Sequence, residues 1–379
     1  MSALKVETVG SVRDVAAAEW DACAPSENPF LHHAFLLALE ESGSVGPRTG
    51  WEPCHLVARR GKDVVGVAPT YVKTHSWGEY VFDQGWAQAL TRAGGSYYPK
   101  LQVAVPFTPV TGPRLLARPG EDEVVHALAE GAVDLARRRG LSSVHVTFPV
   151  REQWELLGRE GWLQRTGVQF FWDNHGYTSF DDFLAALSSR KRKMVRKERE
   201  QASRGLTLRT LQGHDVTEAH LQAMHTFYGS TVDRKWGSAY LTRKFFPLLH
   251  QRMPGRVVLT MAFDEEKPVA GAFHLLGDDT LYGRHWGCSS RYEFLHFECC
   301  YYQAMDLAIA RGLRRVEAGA QGVHKVSRGY LPAHTYSAHW LLHDGLRDAV
   351  ARFLDAERVE LDGEIQELMT LSPFRQEPG

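Results

Sequence analysis

The segment Gly319–Tyr330, GAQGVHKVSRGY, concentrates residue types that suit acyl transfer. Its glycines allow the backbone to approach a ligand closely. An imidazole can accept the proton of an attacking amine, and a cationic side chain can stabilise an oxyanion or bind a phosphate. The alternative is a surface loop with incidental charges, but this mixture of residues favours a site. The predicted catalytic residues are His324, Lys325 and Arg328, and the predicted substrate-binding residues of the segment are Gln321 and Tyr330.

A basic stretch, SRKRKMVRKEREQASRG at Ser189–Gly205, contains eight Arg or Lys residues and two Glu residues. A helix with this sequence can hold the phosphates of an RNA acceptor arm without reading its bases. The alternative is a solvated linker helix that its two glutamates partly neutralise. The candidate tRNA-binding residues are Arg190, Lys191, Arg192, Lys193, Arg196 and Lys197.

Aromatic and cationic residues also occur together at residues 231–240 and 283–286, where they suit a peptide or sugar-phosphate ligand. If residues 283–286 form a strand, Arg284 and Trp286 lie on one face and His285 lies on the other. Packing in the core is the alternative for both tryptophans. Glu317, in the predicted strand at residues 314–320, is a candidate base, and a salt bridge at the end of the strand is the alternative. The predicted substrate-binding residues here are Arg234, Lys235, Trp236, Arg284, Trp286 and Glu317.

Residues 73–116 are rich in aromatic residues, glycine and proline. Loops of this length in compact domains are usually functional or disordered, and the aromatic content argues against disorder. We interpret the segment as a wall or lid on the acceptor side of the site, with a purely structural collar between the halves as the alternative. Its predicted substrate-binding residues are Asp83, Tyr97, Tyr98 and Lys100.

The composition is that of an ordinary globular protein, with 379 residues, 44% hydrophobic and 23% charged. The net charge is −1, so affinity for a nucleic acid must come from a local patch. The five cysteines are an odd number without a CxxC pair, which argues against disulfides and zinc and favours the cytoplasm. We expect no metal, no cofactor and no membrane span, and the oligomeric state stays open.

An internal repeat indicates two similar halves. DLARRRGLSSV at 134–144 and DLAIARGLRRV at 306–316 share seven of eleven residues. Each follows a helical pattern that ends at Gly140 or Gly312 and precedes an apolar strand. Upstream of each copy, residues 55–72 and 257–276 are typical of a β-hairpin. The sequence therefore predicts domains at residues 1–172, with the insertion at 73–116, and at 177–379.

This order of hairpin, helix and strand, occurring twice, resembles tandem GNAT-type acetyltransferase folds. The stretches Ser179–Leu211, Lys267–Ser289 and His296–Pro332 are similar to the Fem family, which transfers amino acids from aminoacyl-tRNA to cell-wall precursors. The whole chain also resembles the Fem-like peptidoglycan biosynthesis or recognition group. The resemblance implies an α/β fold of two tandem GNAT-like domains, each a mixed sheet flanked by helices, with the acceptor in the cleft between them.

The sequence departs from both families in specific places. The glycine pair of the Fem loop is replaced by AGAQG at 318–322, and there is no segment for a helical-hairpin arm. The Q/R-x-x-G-x-G/A loop, with which GNAT enzymes bind the CoA pyrophosphate, is also missing. The working hypothesis is therefore an acyltransferase with aminoacyl-tRNA as donor and an amine as acceptor. The alternatives are an acetyl-CoA-dependent N-acetyltransferase and a non-catalytic module that binds peptidoglycan or peptides.

Overall fold

The computed structural model describes residues 3–235, 239–319 and 322–375, without the side chains of residues 232–235. The chain forms two compact units. The first comprises Met1–Gly167 and His334–Gly363, and the second comprises Val168–Ala333 and Glu364–Gly379. This division differs from the predicted one, in which residues 334–363 belong to the second domain. They join the first unit because their apolar side chains pack into its cores.

The described residues form strands of two to eleven residues. In chain order they are β1 (Leu4–Val9), β2 (Trp51–Pro53), β3 (His55–Arg60), β4 (Asp63–Ala68), β5 (Thr70–Lys73), β6 (Lys100–Val103), β7 (Leu116–Ala117), β8 (Ser143–Thr147), β9 (Leu163–Asp173), β10 (Thr207–Gln212), β11 (Val257–Asp264), β12 (Lys267–Leu276), β13 (Thr280–Cys288), β14 (Arg315–Glu317) and β15 (Leu331–Leu341).

The α-helices flank these strands. They are α1 (Ala17–Asp21), α2 (His33–Glu41), α3 (Gln84–Arg92), α4 (Asp122–Arg138), α5 (Arg151–Arg159), α6 (Phe180–Ala186), α7 (Ser189–Ala202), α8 (Glu218–Lys235), α9 (Phe245–Arg252), α10 (Leu295–Phe297), α11 (Gln303–Ala310) and α12 (Asp344–Thr370). A π-helical turn, Glu298–Tyr302, joins α10 to α11. Within the described residues, no helix has the length and apolar character needed to cross a membrane.

The first unit contains two groups of paired strands. One has the order β1-β3-β4-β7 and is antiparallel throughout. In the other, β2, β5 and β6 pair antiparallel, β6 runs parallel to β8, and the end of β15 pairs antiparallel with β8. The apolar face of α4, including Leu128, Ala132 and Leu135, packs into the main core of this unit.

The second unit is built around the strand order β10-β11-β12-β13-β14-β9. All of these pairs are antiparallel except β13 and β14, which run parallel. The helical segment from α10 to α11 crosses between these two strands and buries Tyr301, Tyr302 and Met305 in the core. The parallel pair is important for function, because ligands in such sheets commonly bind beyond the carboxyl ends of the parallel strands.

The locally encoded elements agree with the sequence predictions. Both predicted hairpins form, as β3–β4 and β11–β12, and both helices of the repeat end before a glycine with positive φ. The basic stretch is helical over Ser189–Ala202. The insertion at 73–116 differs from the predicted loop, because it contains α3 and β6.

Candidate functional site

The carboxyl ends of β13 and β14 define the candidate site in the second unit. The two strands pair only through three residues each, Thr280–Tyr282 and Arg315–Glu317. Beyond that point Gly283 of β13 lies close to the end of β14. A Cβ atom on Gly283 would lie 3.1 Å from the Glu317 carbonyl oxygen. The chain that leaves β14 forms a 3₁₀ helix, Val323–Arg328. The predicted catalytic residues all lie on this short helix.

Lys325 is 2% exposed, which is unusual for a lysine. Its Nζ donates a hydrogen bond to the Gly319 carbonyl oxygen at 2.7 Å and lies 5.7 Å from the centre of the Phe170 ring. Burial lowers the pKa of Lys325 to about 7, and the nearby Cys300 thiol opposes this shift. The amine is therefore divided between its charged and neutral forms near neutral pH. A lysine in this state can act in acid, base or electrostatic catalysis.

His324 is exposed and precedes Lys325 directly. Its Nε2 lies 3.0 Å from the Tyr301 hydroxyl, and its ring lies 5.4 Å from that of Phe297. Tyr301 comes from the π-helical turn, and such turns occur frequently at functional sites. Burial raises the pKa of Tyr301, so this phenol stays protonated and serves as a hydrogen-bonding group.

Arg328 is 6% exposed and holds the 3₁₀ helix to its surroundings. Its guanidinium forms two hydrogen bonds to the Glu198 carboxylate, at 2.6 and 3.0 Å, and a third to the His324 carbonyl oxygen at 2.7 Å. The group lies 3.5 Å from the centre of the Phe297 ring. Because these contacts occupy the guanidinium, they favour a positioning role over direct contact with substrate. Tyr330 is fully buried, and Gln321 lies outside the described residues.

Glu317 is the last residue of β14 and is 7% exposed. Burial raises its pKa to about 7, although Arg315 and Arg284 lower it. Trp286 is half-buried with its ring 5.4 Å from that of His296, while the His285 ring packs against Tyr228.

For three residues predicted at 231–240, the position of the side chain is not described by the structure. The side chains of Arg234 and Lys235, and the whole of Trp236, lie outside the described part of the chain.

The basic helix α7 turns its cations away from the core. Val195, Glu198 and Ala202 are its buried residues. Four of the predicted tRNA-binding residues, Arg190, Lys193, Arg196 and Lys197, are exposed, and Lys191 and Arg192 are half-buried. Arg196 forms a surface ion pair with Asp181 at 3.1 Å. The exposed face of α7 is therefore strongly positive.

The four residues predicted in the insertion come together in the first unit. Lys100 donates hydrogen bonds to Asp83, to Glu79 and to Ser76, whose hydroxyl also contacts that of Tyr98. Tyr97 donates to Asp83 at 2.7 Å. Asp83, Tyr97 and Lys100 are each at most 2% exposed. These contacts hold the insertion together, and the substrate-binding role of the four residues stays a prediction.

Sequence reasoning missed several residues that build these two clusters. In the second unit they are Glu198, Phe297, Tyr301 and Cys300, and in the first unit they are Ser76, Glu79 and His145. The signal for Glu198 was one of two acids in a run of cations, a pattern that is also typical of a solvated helix. Among the described residues, no group of three His, Cys, Asp or Glu side chains is arranged to bind a metal ion.

The family model of FemAB-like proteins, described as peptidoglycan biosynthesis/recognition, matches residues 11–376. The chain belongs to this family. The predicted Fem-like family is therefore confirmed over nearly the whole sequence. No curated protein sequence matches the chain.

Solved structures extend the comparison to the fold. A crystal structure of FemX matches at 11% identity, with 92% of this chain and 100% of that chain covered and a TM-score of 0.55. L-PGS from Bacillus licheniformis matches at 12% identity, with coverages of 87% and 98% and a TM-score of 0.51. A conserved protein of unknown function from Bacteroides thetaiotaomicron VPI-5482 matches at 11% identity, with coverages of 90% and 100% and a TM-score of 0.51. These similarities confirm the predicted α/β fold with two GNAT-like domains.

Proposed function

We propose that the protein is an acyltransferase that moves an aminoacyl group from aminoacyl-tRNA to the amine of a peptide-like acceptor. One observation carries the proposal: a buried lysine, Lys325, lies beyond the carboxyl ends of two parallel strands, in the same unit as a strongly positive helix. Membership of a family described as peptidoglycan biosynthesis/recognition supports the same reaction class.

The proposed step is aminolysis of an ester. The acceptor amine attacks the ester carbonyl carbon, so a C–N bond forms and the carbonyl oxygen becomes an oxyanion. The C–O bond to the tRNA ribose then breaks, and the released hydroxyl takes up a proton while the attacking nitrogen loses one. Catalysis of this step needs a positioned amine, a proton acceptor and stabilisation of the oxyanion.

Two residues of the 3₁₀ helix suit these roles. His324 accepts the amine proton, and the Tyr301 hydroxyl orients its imidazole ring. Lys325, in its protonated form, stabilises the oxyanion, because an ammonium group in a site with little water interacts strongly with developing charge. Arg328 holds the helix in place.

The exposed cations of α7 support tRNA as the donor, since Lys and Arg contacts to phosphates provide affinity that does not depend on base sequence. The test is to measure binding of bulk tRNA and of CoA across a salt series. We expect micromolar tRNA binding that weakens steeply with salt. Replacing Arg190, Lys193 and Lys197 by Ala should reduce the slope of log K against log [salt] by roughly 0.7–0.9 for each lost contact.

The matched control is a triple Ala variant of Arg137, Arg138 and Arg139, which are exposed at the end of α4 in the other unit. It removes the same number of cations and should leave the slope unchanged. If CoA binds tightly and the α7 variant binds tRNA as the wild type does, the result favours an acetyl-CoA-dependent enzyme. Binding of muropeptides without turnover of either donor would favour a non-catalytic module.

A further inference from the structure

The two glutamates of α7 have different environments. Glu200 is exposed and pairs with Arg204 one turn away. Glu198 is 5% exposed, on a helix whose other charged side chains are mostly cations. A buried carboxylate lowers the stability of a protein unless well-aligned partners compensate for its lost hydration. The position of Glu198 is therefore explained only by the groups that it contacts.

Those groups belong to the candidate site. The Glu198 carboxylate accepts two hydrogen bonds from Arg328 and one from the Tyr302 hydroxyl, at the end of the π-helical turn. Arg328 in turn donates to the carbonyl oxygen of His324 at 2.7 Å. Two successive interactions thus connect α7 to the backbone between the two candidate catalytic residues.

The 3₁₀ helix needs such an attachment because of how it is joined to the chain. Glycines flank it on both sides, Gly322 with φ of 117° and Gly329 with φ of 93°. Residues with side chains rarely adopt these conformations, so the helix is connected through its most permissive backbone positions. The side-chain contacts of Arg328 therefore act together with the buried side chain of Val326 to fix its orientation.

We propose that Glu198 is a positioning residue of the candidate active site, which holds Arg328 and, through it, the backbone that carries His324 and Lys325. This inference rests on the proposed function only for the identity of the reaction. A two-point hydrogen bond between a carboxylate and a guanidinium fixes both distance and orientation, and the Phe297 ring packs against the guanidinium at 3.5 Å.

The test follows the reactivity of the Lys325 amine and needs neither donor nor acceptor. The protein is treated briefly with acetic anhydride over a range of pH, and the acetylation of Lys325 is quantified by mass spectrometry. The wild-type reactivity should have its midpoint near pH 7. In Glu198→Gln, Arg328 loses its charged partner, the helix moves, and water reaches Lys325. The midpoint should then rise by at least one pH unit towards the ordinary lysine value of 10.5.

Glu200→Gln is the matched control. Glu200 is the other glutamate of α7, and it pairs with the exposed Arg204 rather than with a group of the candidate site. This variant carries the same chemical change and should keep the Lys325 midpoint near pH 7. If Glu198→Gln does not fold, Glu198→Asp keeps the charge with a shorter side chain and should give an intermediate midpoint.

Two results would overturn the proposal. One is an unchanged midpoint in folded Glu198→Gln or Glu198→Asp, which would leave Glu198 with a structural role alone. The other is an equal shift in Glu200→Gln, which would mean that the loss of either negative charge on α7 affects Lys325. Absence of aminoacyl transfer in the wild type would overturn the proposed function but would leave the labelling result intact.

Discussion

Lys325 shows how burial can give an ordinary side chain an unusual chemical state. The sequence indicated the residue through its glycine-rich, cationic surroundings, but it contained no information on how far the amine is removed from water. Phe170 and Cys300 of the π-helical turn lie near the amine, and both are distant from it in sequence. The location of the candidate site was therefore predictable, whereas the state of its lysine depends on tertiary packing.

The pH dependence of transfer tests the role of Lys325. If the protonated amine stabilises the oxyanion, the wild-type rate divided by the rate of Lys325→Arg should fall as pH rises through about 7, by up to tenfold per pH unit. Lys325→Arg keeps its charge, and the loss of protons from the acceptor amine affects both proteins alike. Lys325→Ala should lose about 10²–10³-fold in rate at pH 6, the usual effect of removing one oxyanion-stabilising group. The rates are measured by transfer of a radiolabelled aminoacyl group.

The control for this series is Lys267→Arg, at an exposed position at the start of β12, which should behave like the wild type. A wild-type rate that rises through pH 7, with Lys325→Arg inactive, would instead identify the neutral amine as a base.

At the scale of elements, the hairpins, the repeat helices and α7 were predictable because local signals specify them. Polar turns, helix-ending glycines and apolar periodicity act over a few residues. The buried cluster around Lys100 was not predictable in the same way. Its partners Ser76, Glu79 and Asp83 lie 17 to 24 residues away, and only the fold of the insertion brings them together.

The packing of α8 on β13 provides a test at this scale. A Cβ atom on Gly287 would lie 1.9 Å from the Phe227 carbonyl oxygen, so Gly287→Ala must displace the helix from the strand. We expect a loss of roughly 1–3 kcal/mol in the free energy of unfolding. Gly229→Ala, on α8 with no atom within 4 Å of the new methyl group, should instead gain up to about 1 kcal/mol. Urea denaturation measures both, and equal effects would contradict this account of the packing.

At the scale of the whole molecule, each unit is assembled from two separate stretches of chain. The repeat predicted two halves, and the structure contains two units, but residues 334–363 return to the first one. No local pattern marks this return, because β15 and α12 are continuous elements that begin in one unit and end in the other. Only the packing of residues such as Leu346 and Val350 against Trp86 identifies the unit to which they belong.

Fragments of the chain should reflect this organisation. A fragment of residues 1–172 lacks Leu341, Leu346 and Val350, which are buried in a core of the first unit, so it should expose apolar surface and aggregate. Adding residues 334–363 through a Gly/Ser linker should restore a soluble, cooperatively unfolding fragment. Size-exclusion chromatography and circular dichroism distinguish the two. A well-folded fragment of residues 1–172 would contradict the division.

Because residues 334–363 complete the first unit, the fold also limits how such a protein can change during evolution. Recombination between two related genes at the junction near residues 172–177 would produce proteins in which residues 334–363 of the first unit come from the other parent. We therefore expect the two halves of the repeat to be inherited together, and a new specificity to arise by substitution within one lineage rather than by exchange of halves.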